Sequence, residues 1–131
     1  MPLTRIFFYQ DEDGHAPVVE WLRGLRHQNR SAYAKCVVRI RRLAELGHEL
    51  RRPEADLLRD GIYELRAKKG RVQYRILYFF HGQNVAVLDH ALTKEGAIPE
   101  TDLVRAVRRK SVFLQNPSRY TYEEELTDDK N

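Results

Sequence analysis

The sequence predicts an α+β fold: a small antiparallel β-sheet with an N-terminal α-hairpin packed on one face and a C-terminal helix. Three observations carry this. Residues 61–92 form three strand-like runs parted by turn-forming residues, the first two alternating with the two-residue period of strands and the third opening nearly continuously apolar. Residues 17–46 instead repeat apolar side chains at helical spacing, in two runs. A further run of that kind begins at Pro99, after the strand segment.

Taken in order, Leu3 to Tyr9 reads as a short strand that ends at the polar loop 10–14. Pro17 opens a helix, since the first helical position needs no amide donor. Val18, Trp21, Leu22 and Leu25 mark its core face. Asn29 or Ser31 caps a second helix ending near Gly47. Its apolar stripe is Tyr33, Cys36, Val37, Ile40, Leu43 and Ala44, with Lys35, Arg39 and Arg42 on the other face. Residues 48–60 contain Pro53 and mixed charges and read as a connecting loop, pinned to the core by Leu57 and Leu58.

Within the strand segment, Tyr63, Leu65 and Ala67 alternate with Ile62, Glu64, Arg66 and Lys68. Beyond the Lys69-Gly70 turn, Val72, Tyr74, Ile76, Tyr78 and Phe80 alternate with Gln73, Arg75, Leu77 and Phe79. After the turn at 81–84, the nearly continuous apolar run 85–88 suits a well-covered strand. Simple alternation then groups His90 with Leu88 and Leu92. Arg66 and Arg75 fall inside strands, on the face away from the α-hairpin, where stability alone seldom places two cations. In the last helix Glu100 and Asp102 favour the dipole, and Leu103, Ala106, Val107 and either Phe113 or Leu114 turn inward. Asn116-Pro117 stops it. The expected organisation is one domain over 1–115 and an acidic, flexible tail over 116–131.

Composition narrows the function classes. With 42% hydrophobic and 32% charged residues the chain is expected to be globular. Its apolar runs are strand-length and no leader-like segment opens it, so no membrane association and a cytoplasmic location are expected. The single Cys36 excludes an internal disulfide and a cysteine-based zinc site. The five histidines are scattered without ligand spacing, so neither a metal nor another cofactor is expected. The net charge of +4 includes an acidic segment, 116–131, with two basic and five acidic side chains, so residues 1–115 carry +7. A basic body points to an anionic partner, nucleic acid first and an acidic protein segment second. The tail could fold over that basic face and moderate binding.

The order strand, helix, helix, three-stranded meander, helix resembles the RelE/ParE toxin superfamily, and most of all its phage-type, HigB-like branch. The matching words are Leu58-Arg59-Asp60-Gly61-Ile62-Tyr63-Glu64-Leu65-Arg66 and Gln73-Tyr74-Arg75-Ile76-Leu77-Tyr78-Phe79-Phe80. Val87-Leu88-Asp89-His90-Ala91-Leu92-Thr93-Lys94 and Ile98-Pro99 complete the set. The resemblance implies a toxin of a type II toxin–antitoxin system that cleaves messenger RNA on the ribosome, held in check by a cognate antitoxin of helix-turn-helix type.

Metal-independent cleavage needs a base for the ribose 2′-hydroxyl, cations on the phosphate and an acid for the departing oxygen. Arg75 is the candidate phosphate clamp, because its planar fork can hold two oxygens, and Arg66 shares its face. Arg75 could instead pair with Glu64 across the hairpin as a structural ion pair. Lys94 and His90 are the candidate proton-transfer groups. Arg59, Lys68, Lys69, Arg71, Arg108 and Arg109 are candidate contacts to the RNA backbone. Tyr63, Tyr74 and Tyr78 are candidates for base stacking, although two of them share the apolar strand face. Two other functions stay open: a ParE-like inhibitor of DNA gyrase, and a non-catalytic RNA- or antitoxin-binding relative, for which Glu95 is the argument.

Overall fold

The computed structural model describes residues 3–93 and 95–126. The elements are β1 (Arg5–Tyr9), α1 (Pro17–Gln28), α2 (Arg30–Leu46), β2 (Ala55–Arg59), β3 (Ile62–Lys69), β4 (Val72–His81), β5 (Val85–Thr93), α3 (Glu100–Gln115) and β6 (Thr121–Tyr122). One six-stranded sheet runs in the order β2-β3-β4-β5-β1-β6. β1 lies parallel to β5, and every other neighbouring pair is antiparallel. The α+β architecture is as expected.

Side-chain parity divides the sheet between two cores. Leu65, Ile76, Tyr78 and Leu88 face the α-hairpin and meet Val18, Leu22, Val37, Ile40 and Leu43. Ile62, Leu77, Phe79 and Val87 face the other way, against Ala106 and Phe113 of α3. Phe113 packs edge-on against Phe79 at 5.5 Å, whereas Leu114 is exposed, which decides between those two residues. The hairpin turns on Asn29, which ends α1 and caps α2 by accepting a 3.1 Å hydrogen bond from the Ala32 amide. Gly47, with φ of +55°, closes α2 where a Cβ would collide with Thr4 Oγ1.

Three expectations need correction. The connecting loop contains a strand, β2, on the edge beside β3. Its alternation is masked because Leu57 points outward at 55% exposure while Ala55 is buried. The acidic segment after Asn116 is not a free tail as far as Leu126. Thr121 and Tyr122 pair with Tyr9 and Phe8, and Leu126 packs on the hairpin-side core. It therefore lies along β1, two strands beyond β4, and not over the two arginines.

The third correction is in β5. The register shifts between Leu77 and Tyr78, which pair with His90 and Leu88, so Asp89 is an extra residue in a β-bulge. His90 thus joins Leu92 on the α3 face while Leu88 faces the hairpin. The bulge breaks simple alternation.

Tyr74 and Tyr78 are buried against the hairpin, and Tyr63 stacks on Tyr78 at 5.3 Å. They are core side chains. Cys36 is fully buried, which pushes its thiol up to about 12 and leaves it inert. No described helix is long and apolar enough to cross a membrane.

Candidate functional site

The face opposite the α-hairpin is only partly covered. α3 packs over β4 and β5, and beyond its N-terminal end β3 and β4 border an open cleft of about 290 Å³. Leu58, Arg59, Glu64, Arg66, Arg75 and the loop 96–98 line it. Arg66 and Arg75 stand directly opposite each other across β3 and β4. Two cations in that relation repel, and a carboxylate between them offsets the repulsion. Glu64, two residues before Arg66 and 2% exposed, provides it. Its Oε1 accepts from Arg66 Nη2 at 3.3 Å, and its Oε2 lies 2.9 Å from Arg75 Nε. That second contact is close but poorly aligned, and neither atom has a hydrogen-bond partner. The buried contact is an electrostatic clasp more than a hydrogen bond.

Both guanidinium groups have further anchors. Arg66 reaches Asp56 Oδ2 at 3.4 Å, an oxygen that Arg52 also holds at 2.9 Å. Arg75 Nη1 donates to the Gly96 carbonyl. The arginines are therefore not free, as the alternation alone suggested: each is tied to Glu64. Leu103 of α3 borders the same cleft, and an excess of one positive charge remains in the Arg66–Glu64–Arg75 group. Arg66 is 31% and Arg75 11% exposed at the side chain.

The remaining candidates scatter. Arg59 lines the cleft but is held two-pronged by Glu100 at 2.6 and 2.7 Å. Lys68 and Arg71 are exposed at the β3–β4 hairpin tip, with Lys69 half-buried between them, and the three make no ion pair to a described residue. Arg108 points to solvent from α3. Arg109 does not: it turns under α3, 3.3 Å from Asp89 Oδ1, with its guanidinium over the Tyr9 ring. It is a strut between α3 and the bulge, 22% exposed, and not grouped with Arg108. The Lys94 assignment lies outside the described residues. Among the described residues no group of three or more His, Cys, Asp and Glu is placed to hold a metal.

His90 pairs with Leu77, one position along from the Arg75–Leu92 pair, so it shares the arginines' face. It is enclosed by α3. Arg105 Nη2 lies 2.8 Å and Asp102 Oδ1 3.1 Å from His90 Nε2, and Arg105 and Asp102 contact each other. Arg105 can only donate and Asp102 can only accept, so the two side chains make opposite demands on His90 Nε2. Burial and the Arg105 charge both hold its pKa below the usual histidine value.

Sequence reasoning missed Asp89. The bulge drives its carboxylate into the core at 0% exposure, with one long contact to Arg109 and Oδ2 unpartnered. Burial pushes the carboxyl up to about 7, against the opposing pull of Arg109. A folded-state pKa above the unfolded value of 3.8 means that the fold is favoured at low pH. That contribution is lost as pH rises from about 4 to about 7. Urea unfolding of wild type and Asp89→Asn at pH 4.5, 6 and 8 checks this. The asparagine variant should gain on wild type across that range, by on the order of 2–4 kcal/mol. A difference that stays constant with pH would show that Asp89 titrates normally.

A mostly antiparallel open sheet with an α-hairpin on one face and a third helix on the other is compatible with the RelE-like fold. Residues 20–111 match the family described as Phage derived protein Gp49-like (DUF891). The chain belongs to that family, a RelE/ParE-like toxin family of toxin–antitoxin systems, and membership implies an antitoxin partner. No curated protein matches the chain.

Proposed function

We propose that this chain is a HigB-like toxin that cleaves translated messenger RNA on the ribosome, without a metal, by attack of a ribose 2′-hydroxyl on the adjacent phosphate. The observation that supports it most is the Arg66–Arg75 cross-strand pair, open to a cleft and oriented from behind by buried Glu64. Guanidinium groups fixed in this way can take phosphate oxygens two at a time and stabilise the charge of the pentacoordinate state. In the reaction the 2′-oxygen bonds to phosphorus, the bond to the 5′-oxygen breaks, and one proton passes from the first oxygen to the second. His90 serves as base once Arg105 and Asp102 yield its Nε2, and Lys94 is the proposed acid. The hairpin-tip cations Lys68, Lys69 and Arg71, with Arg59 and Arg108, contact the RNA backbone.

One observation favours the non-catalytic reading: Glu64 and Glu100 already occupy three of the cleft's arginines. Induction in cells followed by primer extension on translated messages separates the possibilities. Cuts inside translated regions with rapid loss of protein synthesis are expected. Intact messages with DNA damage would transfer the chain to the gyrase-inhibiting class. Unimpaired growth would leave it a binding protein.

A further inference from the structure

The segment that follows α3 shows, in the chain's own residues, what the far edge of the sheet binds. β6 covers only part of β1, pairing Tyr122 with Phe8 and Thr121 with Tyr9. The ladder stops there, leaving the edge of β1 at Arg5–Phe7 without a strand partner among the described residues. Past β6 the chain's acids meet cations: Glu123 lies 2.8 Å from Arg5, and Glu124 2.6 Å from Arg23. Tyr122 donates its hydroxyl to Glu124 at 2.9 Å, setting the carboxylate toward Arg23. Leu126 packs on the hairpin-side core and walls an apolar groove of about 170 Å³ between β1 and α2, together with Ile6, Phe8, Ile40 and Ala44.

These contacts define a consistent recognition chemistry. An extended backbone adds to an open strand edge, acids meet Arg5 and Arg23, and one aliphatic side chain walls a groove. Positive charge also continues past the last described contact. Arg23 borders a second, larger cleft of about 460 Å³ whose other lining residues are Arg26, His27 and Arg30. Among the described residues the occupant's ladder is two pairs long, and its ion pairs to Arg5 and Arg23 have cations more than 60% exposed, where water and salt screen the attraction. Arg41 adds a 3.5 Å hydrogen bond to the Leu126 carbonyl.

We propose that the β1 edge, the β1–α2 groove and the basic end of the α-hairpin form a docking surface for an extended acidic peptide of the antitoxin, and that residues 121–126 are its built-in competitor. The partner strand displaces β6, extends along Arg5–Phe7 and places its own acids and aliphatic anchor where Glu123, Glu124 and Leu126 sit. This surface lies on the opposite side of β5 from the arginine cleft, so the partner can dock without entering that cleft. The antitoxin identity of the partner rests on the toxin reading; the peptide chemistry does not.

The test uses the full chain and a labelled synthetic peptide with the sequence of residues 118–126. Wild type is compared with Glu123→Lys/Glu124→Lys, which breaks both ion pairs of the resident segment, and with Leu126→Asp, which removes its apolar contact by a different route. Each released variant is expected to bind the peptide at least tenfold tighter than wild type, with the gain reduced in high salt. Adding Arg5→Glu/Arg23→Glu should abolish it. Equal binding by wild type and both released variants, or binding indifferent to Arg5→Glu/Arg23→Glu, overturns the proposal. So does displacement of the peptide by an RNA oligonucleotide, which would make this an RNA surface. Concentration-dependent dimerisation of wild type with loss of peptide binding would make the occupant a second copy, and likewise overturns it. Toxicity on induction is read separately, so failure of the peptide titration and failure of the toxin reading remain distinguishable.

Discussion

Arg75→Ala is expected to abolish growth arrest on induction and to lower message cleavage by about 10²–10³-fold, the loss typical of removing one preorganised donor to a developing negative charge. Arg75 has the smaller exposure of the two arginines and the greater constraint, with Glu64 on one side and the Gly96 carbonyl on the other. Its fork is therefore set before any phosphate arrives. The alanine change also removes one partner of buried Glu64, so a companion variant is needed. Arg75→Lys keeps the charge beside Glu64 but loses the planar two-pronged geometry. It should retain a thermal midpoint near that of wild type and still lose most of the cleavage. Primer extension after induction, with immunoblots to equalise protein level, reads both. Wild-type cleavage by Arg75→Ala would remove this residue from the mechanism.

The second large effect is on stability. Glu64→Ala is expected to lower the unfolding free energy by about 3 kcal/mol, at the low end of the range for breaking a buried ion pair because both arginines retain some solvent. The cost has two parts. Arg66 and Arg75 are left opposite each other with no carboxylate between them, and buried Arg75 Nε loses the oxygen beside it, while Asp56 and the Gly96 carbonyl remain. Glu64→Gln keeps the shape and one acceptor oxygen, so it should cost about half as much. Urea denaturation at neutral pH measures both. A loss under about 0.5 kcal/mol for Glu64→Ala would mean that the guanidinium groups solvate themselves and that the carboxylate orients nothing.

The readable parts of this fold were those where one rule acted alone. β3 and β4 follow from a period of two, and so does the placement of Arg66 beside Arg75. Asn29 and Pro17 announced their helices through cap chemistry. Legibility failed where tertiary context overrode the local pattern. β2 is five residues on an edge, and its outward Leu57 reads as the reverse of a buried strand. The bulge at Asp89 has no local signature, so the side of the sheet to which His90 belongs could not be derived by counting. Glu64 was visible as a possible partner of Arg75, but not as a buried charge shared by two arginines, because burial depends on how α3 and the loop before it close over the sheet. Composition read the segment after Asn116 as acidic and solvated. Its attachment depends on Arg5, Arg23 and the β1 edge, more than ninety residues away in the chain.

The parallel pairing of β1 with β5 carries a kinetic consequence. The β3–β4–β5 meander is joined by short turns and can form from local contacts, but β1 must wait for a partner about eighty residues downstream. A chain still being synthesised thus lacks the partner of its first strand until β5 has emerged, and in the finished sheet β1 lies between β5 and the terminal strand. Assembly is then slow relative to that of a helical bundle of equal size, and the interval before closure is when chaperones and proteases have their best access to it.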